Sequence, residues 1–104
     1  MQVRKIVQSP VYQGQDEEIA YKVDVTNWIE IPGSVVLNPT ATLKDQNGVD
    51  VTATKLSGVC SVSGNNVISP LVVDLEPPMK YRLLFTFEIS GNTFSAFMEI
   101  QSEE

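Results

Sequence analysis

Apolar residues in this chain recur at alternate positions, in short runs separated by Gly, Pro and Asn, and no segment sustains the helical spacing. The clearest run follows Pro77-Pro78, where Tyr81, Leu83, Phe85, Phe87 and Ile89 share one face of a strand over Lys80 to Ile89. Ser90-Gly91-Asn92 then turns the chain into a last strand over Thr93 to Gln101, with Phe94, Ala96, Met98 and Ile100 on one face and Thr93, Ser95, Phe97 and Glu99 on the other. Earlier, Glu18 to Val25 alternates cleanly, placing Ile19, Tyr21, Val23 and Val25 inward. A first strand is expected over Gln2 to Gln8, with Val3 and Val7 opposite Ile6, ended or kinked by Ser9-Pro10. Trp28-Ile29-Glu30-Ile31 follows the second strand, and the indole is expected to cap one end of the core.

The middle of the chain is read from its turn residues. Asn38-Pro39 marks a turn, and Thr40 to Lys44 and Val49 to Thr54 flank Asp45-Gln46-Asn47-Gly48 as the two arms of a hairpin, with Leu43 and Val49 or Val51 on a common surface. Val59 to Ser63 is a short polar run suited to a sheet edge. Asn66 to Leu75 supplies Val67, Leu71, Val73 and Leu75 to the core before the double proline. The pattern as a whole predicts an all-β chain and one domain over residues 1–104.

Composition narrows the class further. Hydrophobic residues make up 42% and charged residues 19%, ordinary globular usage, and the longest apolar runs fall far short of the roughly 18 residues of a membrane helix. The N-terminus has no apolar h-region or small-residue cleavage site, so the expectation is a chain that stays in the cytoplasm where it is made. Thirteen acidic against seven basic residues give a net charge of -6, which opposes approach to nucleic acid of the same sign. Neither a membrane nor a nucleic acid is an expected partner.

Candidate chemistry is sparse. Histidine is absent, which removes the commonest general base and transition-metal ligand, and the single Cys60 allows no intrachain disulfide. Cys60 has no basic neighbour nearer than Lys55 in sequence and reads as a small semi-buried side chain. Asp45 to Asp50 has the oxygen alternation of a calcium loop, but its glycine comes too early and strands flank it, so a hairpin turn is the expectation and no metal is assigned. Carboxylates fall in turns or at outward strand positions, no phosphate-cradling glycine loop exists, and no cofactor or enzymatic activity is expected. Three residues stand out as interface candidates: Phe97, an aromatic among polar neighbours on an outward face, and Val59 and Val62 on the polar edge run. Trp28, Tyr12 and Phe97 are the aromatics available for a sugar platform.

The double proline followed by Tyr81 and alternating aliphatics resembles the E-to-F corner of immunoglobulin-like and fibronectin III-like domains, where the tyrosine hydroxyl bonds back to upstream backbone; this implies an antiparallel β-sandwich of about seven strands. Two further stretches extend the resemblance. Tyr21-Lys-Val-Asp-Val-Thr-Asn-Trp28 leading to Ile31-Pro32, and Ala41-Thr-Leu-Lys-Asp-Gln-Asn-Gly-Val-Asp-Val-Thr52 continuing through Gly58-Val-Cys-Ser-Val-Ser-Gly-Asn65, resemble small single-domain immunoglobulin-like proteins encoded among the virion structural genes of tailed bacteriophages and prophages. The likeness runs roughly from Glu17 to Gln101, although several such proteins carry a longer glycine-rich segment where this chain has only Gly58 and Gly64. It implies a non-enzymatic adaptor or accessory protein, made in the host bacterial cytoplasm and incorporated in the virion, whose partners are other virion proteins and further copies of itself in a ring. A surface module binding carbohydrate or adhesin-type ligands is the alternative.

Overall fold

The computed structural model describes residues 3–5, 11–26, 35–89 and 91–103, with residues 3–5 described as backbone only. The expectations for Ile6, Val7, Trp28, Ile29 and Ile31 lie outside the described residues. Among the described residues the structure is all β apart from the short helical turn over Thr52–Lys55 and a single 3₁₀ position at Thr26, and the strands form two sheets.

The larger sheet is built around β8 (Lys80–Ile89) and β9 (Asn92–Glu103), paired antiparallel from Lys80↔Gln101 to Ile89↔Asn92. Unbroken alternation makes this the most regular part of the molecule. Tyr81, Leu83, Phe85, Phe87 and Ile89 are all buried, as are Ala96, Met98 and Ile100 opposite them. Gly91 adopts φ 80°, the left-handed conformation that this tight hairpin requires. Near the hairpin, the rings of Phe87 and Phe94 lie 6.1 Å apart at 25°, within the range of favourable aromatic pairs.

β4 (Val36–Asp45) pairs antiparallel with the other edge of β8. β1 (Val3–Lys5) and β2 (Val11–Gly14) both run parallel to β9, along successive parts of its free edge. Asn38-Pro39 is therefore not a turn before a strand. It is a bulge within β4, where two residues sit opposite one and Asn38 takes φ 51°.

The smaller sheet has β7 (Asn66–Val72) at its centre, with β3 (Ile19–Asp24) on one side. On the other side lie β5 (Leu56–Ser57) and β6 (Ser61–Ser63), two halves of one edge. Pro70 explains the interruption. It has no N–H to give to either neighbour, and Ser69-Pro70 forms a bulge opposite Tyr21, whose N–H donates instead to Ser69 Oγ at 2.9 Å. The extra residue shifts the phase of the strand, so Val72 is fully buried whereas Leu71, expected inward, is 40% exposed. Val67 and Leu75 are buried as expected and Val73 is half-buried.

The hairpin after β4 is shorter than its residues suggest. Asp45 N–H donates to Val49 O, Gly48 N–H to Asp45 O, and Gly48 adopts φ 81°, a three-residue loop closed by a left-handed glycine. The expected arm over Val49 to Thr54 reduces to a single bridge, Lys44↔Asp50, followed by the helical turn α1 (Thr52–Lys55). Val51 still packs against the core but Val49 is exposed, and no large apolar residue follows until Leu56. With nothing to bury along β4, the chain turns and crosses to the smaller sheet.

Two polar contacts tie the layers. At the corner before β8, Glu76 N–H donates to the Tyr81 hydroxyl at 3.0 Å, and Met79 N–H to Glu76 O. The tyrosine is 2% exposed, so its ring fills the core while its hydroxyl anchors the loop. Gln13 of β2 is 1% exposed and satisfies both ends of its amide: Nε2 donates to Val72 O and Glu17 O, and Oε1 accepts from the Tyr21 hydroxyl at 2.7 Å. It joins the edge of one sheet to both β3 and β7 of the other.

Two expectations follow. Val72→Ala should lower the unfolding free energy by about 2 kcal/mol, and Leu71→Ala by clearly less, reversing the order that strict alternation would give; urea titration monitored by circular dichroism measures both. Burial, with the charge of Glu17 nearby, pushes the Tyr21 phenol up to about 12. A raised folded-state value means stability that is complete below the ordinary tyrosine range and declines as pH rises from about 10 toward 12. Denaturation midpoints across that window should fall, and more steeply than in Tyr21→Phe.

Candidate functional site

The described residues present exposed sheet margins and shallow grooves. Among them, no group of three or more carboxylate or thiol side chains gathers as a metal site, and no helix is long and apolar enough to cross a membrane. The carboxylates of the hairpin are engaged locally. Asp45 Oδ1 accepts from the N–H groups of Asn47 and Val49, and Asp50 Oδ1 from the N–H of Thr52. These are turn-stabilising bonds, and those from Thr52 hold the Asp50 carboxyl below its ordinary range. Asp24 is likewise held low by the hydroxyl and N–H of Thr26.

The interface candidates are dispersed. Phe97 lies on the outward face of the larger sheet, as its phase in β9 predicts, opposite Leu84. Its ring is half-buried beneath the Arg82 guanidinium, whose carbon is 4.4 Å from the ring centroid. That separation is a cation–π contact, with a cation covering the aromatic face. Val59 is 83% exposed, but in the Gly58–Cys60 connection between β5 and β6 rather than in a strand. Val62 occupies the edge strand β6 and packs inward, opposite Val67. The two valines thus belong to different surfaces.

Sequence reasoning missed the open flank between the two sheets. There β4 and the interrupted edge β5–β6 border a groove of about 370 Å³ lined by Pro39, Ala41, Leu56, Val59, Cys60 and Pro70, among others. Both bulge prolines contribute to it, Pro39 from β4 and Pro70 from the central strand of the smaller sheet. Burial pushes the Cys60 thiol up, away from the thiolate form.

A second groove, again of about 370 Å³, lies where β4 ends and β8 begins, and it is lined by Lys44, Lys80 and Arg82 together with Asp45, Gln46 and Glu99. A smaller pocket of about 150 Å³ shares Lys80 and Glu99 with it and reaches Tyr12, which is 61% exposed. These residues are far apart in sequence, and only the register of four strands brings them together. No family model, curated protein or solved structure matches this chain.

Proposed function

We propose that the chain is an immunoglobulin-like sandwich acting as a non-enzymatic docking scaffold, a structural or adaptor protein of a tailed phage or prophage virion. The fold part of this reading is supported by the strand order. One sheet runs β1/β2-β9-β8-β4, the other β3-β7-β5/β6, with the first strands parallel to the last and the tyrosine hydroxyl bonded to backbone at the corner before β8. The virion assignment is supported by the sequence resemblance over Tyr21 to Trp28, Ala41 to Asn65 and Tyr81 to Ile89. Its partners are other virion proteins and further copies of the chain.

The observation that carries the docking role is the state of the sheet margins. Among the described residues, β3 and the β5–β6 edge each pair on one side only, and the β5–β6 flank opens into a groove with Val59 at its rim. Edges of this kind accept neighbours. A tagged copy produced during phage growth or prophage induction should co-purify with intact particles and be located on head or tail by electron microscopy; particles devoid of the tagged chain would overturn the virion reading.

A carbohydrate-binding surface module is the second reading, favoured by one observation: Tyr12 stands exposed beside a pocket lined by Lys80, Glu99 and Gln101. A glycan array should then show saccharide-specific binding lost in Tyr12→Ala, and binding to no glycan would eliminate it.

A further inference from the structure

Of the asparagines in this chain only Asn47 is followed by glycine, whose missing side chain leaves its nitrogen open to the carboxamide before it. The others precede Pro39, which has no N–H, or side chains that crowd the same approach. Asn47 and Gly48 are both exposed at the tip of the hairpin after β4, and nothing lies within 4 Å of where a Gly48 side chain would begin. Water and hydroxide therefore reach the pair. In an unfolded chain such a dipeptide loses its side-chain amide. The Gly48 nitrogen gives its proton to hydroxide and bonds to Asn47 Cγ, the Cγ–Nδ2 bond breaks, and ammonia leaves with a proton from water, closing a cyclic imide. Water then opens the ring, at Cγ to give aspartate or at the main-chain carbonyl to give an isoaspartyl linkage.

The folded turn opposes the first of these steps. Asp45 accepts three consecutive N–H groups: its Oδ1 from Asn47 at 2.9 Å and from Val49 at 3.0 Å, and its carbonyl from Gly48 at 3.0 Å. The proton that must leave is thus the one held by the Asp45 carbonyl, and the nitrogen that must turn toward Asn47 Cγ is fixed by bonds on both sides of it. Asp45 N–H donates to Val49 O, and Gln46 Oε1 accepts from Lys80 N–H at the start of β8, so the loop is tied both at its base and to the neighbouring strand.

We propose that Asn47 is a deamidation site held back by its own hairpin, with Asp45 as the positioning residue. Reaction proceeds from molecules whose turn has opened, so its rate is the unfolded-chain rate multiplied by the open fraction. The products do not fit the turn as asparagine does. An isoaspartyl linkage adds a methylene to the main chain between residues 47 and 48, moving the Gly48 N–H off the Asp45 carbonyl that closes the loop. Aspartate keeps the main chain but adds a charge beside the carboxylates of Asp45 and Asp50. Either way the modification weakens the end of the β4–β8 ladder where the hairpin begins. The site is independent of the docking role.

Incubation at mildly alkaline pH, followed by peptide mass mapping and an isoaspartate assay, tests it. In the folded chain the mass gain of amide to acid at Asn47 should accumulate at least about tenfold more slowly than in the same chain held unfolded in concentrated urea. Asp45→Ala removes the side-chain acceptor of the Asn47 and Val49 N–H groups and should speed the reaction severalfold toward the urea rate. Asp45→Asn keeps an acceptor oxygen and should restore slow reaction. Circular dichroism at the incubation temperature establishes that each variant is folded, and hydrogen exchange separates turn opening from general destabilisation: Asp45→Ala should raise exchange at Gly48 and Val49 and leave Phe85 and Met98 unchanged. Equal rates in the folded and unfolded chain, Asp45→Ala no faster than the unmodified chain, Asp45→Asn as fast as Asp45→Ala, or another asparagine reacting first in urea would each overturn the proposal.

Discussion

A strand bonded on both edges and buried along one whole face, β8, is the constraint from which the rest of this structure follows. Its ladder to β4 and β9 leaves few backbone groups unpaired, and its inward row from Tyr81 to Ile89 supplies the largest share of the aromatic core. Without a disulfide, the second sheet is held against that row by apolar burial and by a few specific polar contacts. The Tyr81 hydroxyl does two tasks at once. It satisfies the Glu76 N–H at the corner, and in doing so fixes where β8 begins, because a ring anchored at both ends leaves one register for the strand that carries it.

Gln13 plays the corresponding part at the far margin. A short edge strand such as β2, with Val11 half-buried and Tyr12 exposed, has little apolar surface to hold it. The amide of Gln13 provides what burial does not, reaching Val72 O, Glu17 O and the Tyr21 hydroxyl. A buried amide with all these bonds made is specific, since any slip of β2 along β9 would leave it unsatisfied. The Tyr21 phenol is drawn into the same desolvated junction, which is why ionising it opposes the fold.

What the sequence made legible follows from how far each segment obeys one period. β3 and β8 alternate without interruption, and so does β9 from Ala96 onward, with the inward residues that the pattern names; nearer the hairpin Ser95 is buried as well and Phe94 only half-buried. β2 escaped notice because its buried position is a glutamine, and polar residues give no periodic signal. Pro39 was legible as a break, read as a turn, whereas Pro70 was passed over inside the Asn66 to Leu75 run; neither was legible as a bulge, because a bulge depends on a partner that the local sequence does not reveal. The shift at Pro70 then exchanged the roles of Leu71 and Val72. Val49 to Thr54 has strand-like residues, but the chain there must leave β4 to reach the other sheet, a topological demand that outweighs local propensity. Of the candidate surfaces, the outward position of Phe97 could be read from phase, whereas its cover by Arg82 and the gathering of Lys44 with Lys80 could not, since both arise from register between distant strands.

The two bulges also bear on how the molecule meets neighbours. A regular sandwich of this strand order would present straight edges at β4 and at β5–β6, each able to pair indiscriminately with any extended chain. Here Pro39 leaves one position of β4 without a donor, and Asp50 to Thr52 covers part of the β4 edge, with Leu43 N–H donating to Thr52 Oγ1 and Val51 N–H to Leu43 O. Along that stretch β4 offers no continuous ladder for strand addition, and the groove lies beside it. In a chain of net -6, long-range repulsion between copies is screened at physiological salt over about 8 Å, so what two copies sense at contact is the local sign of each margin.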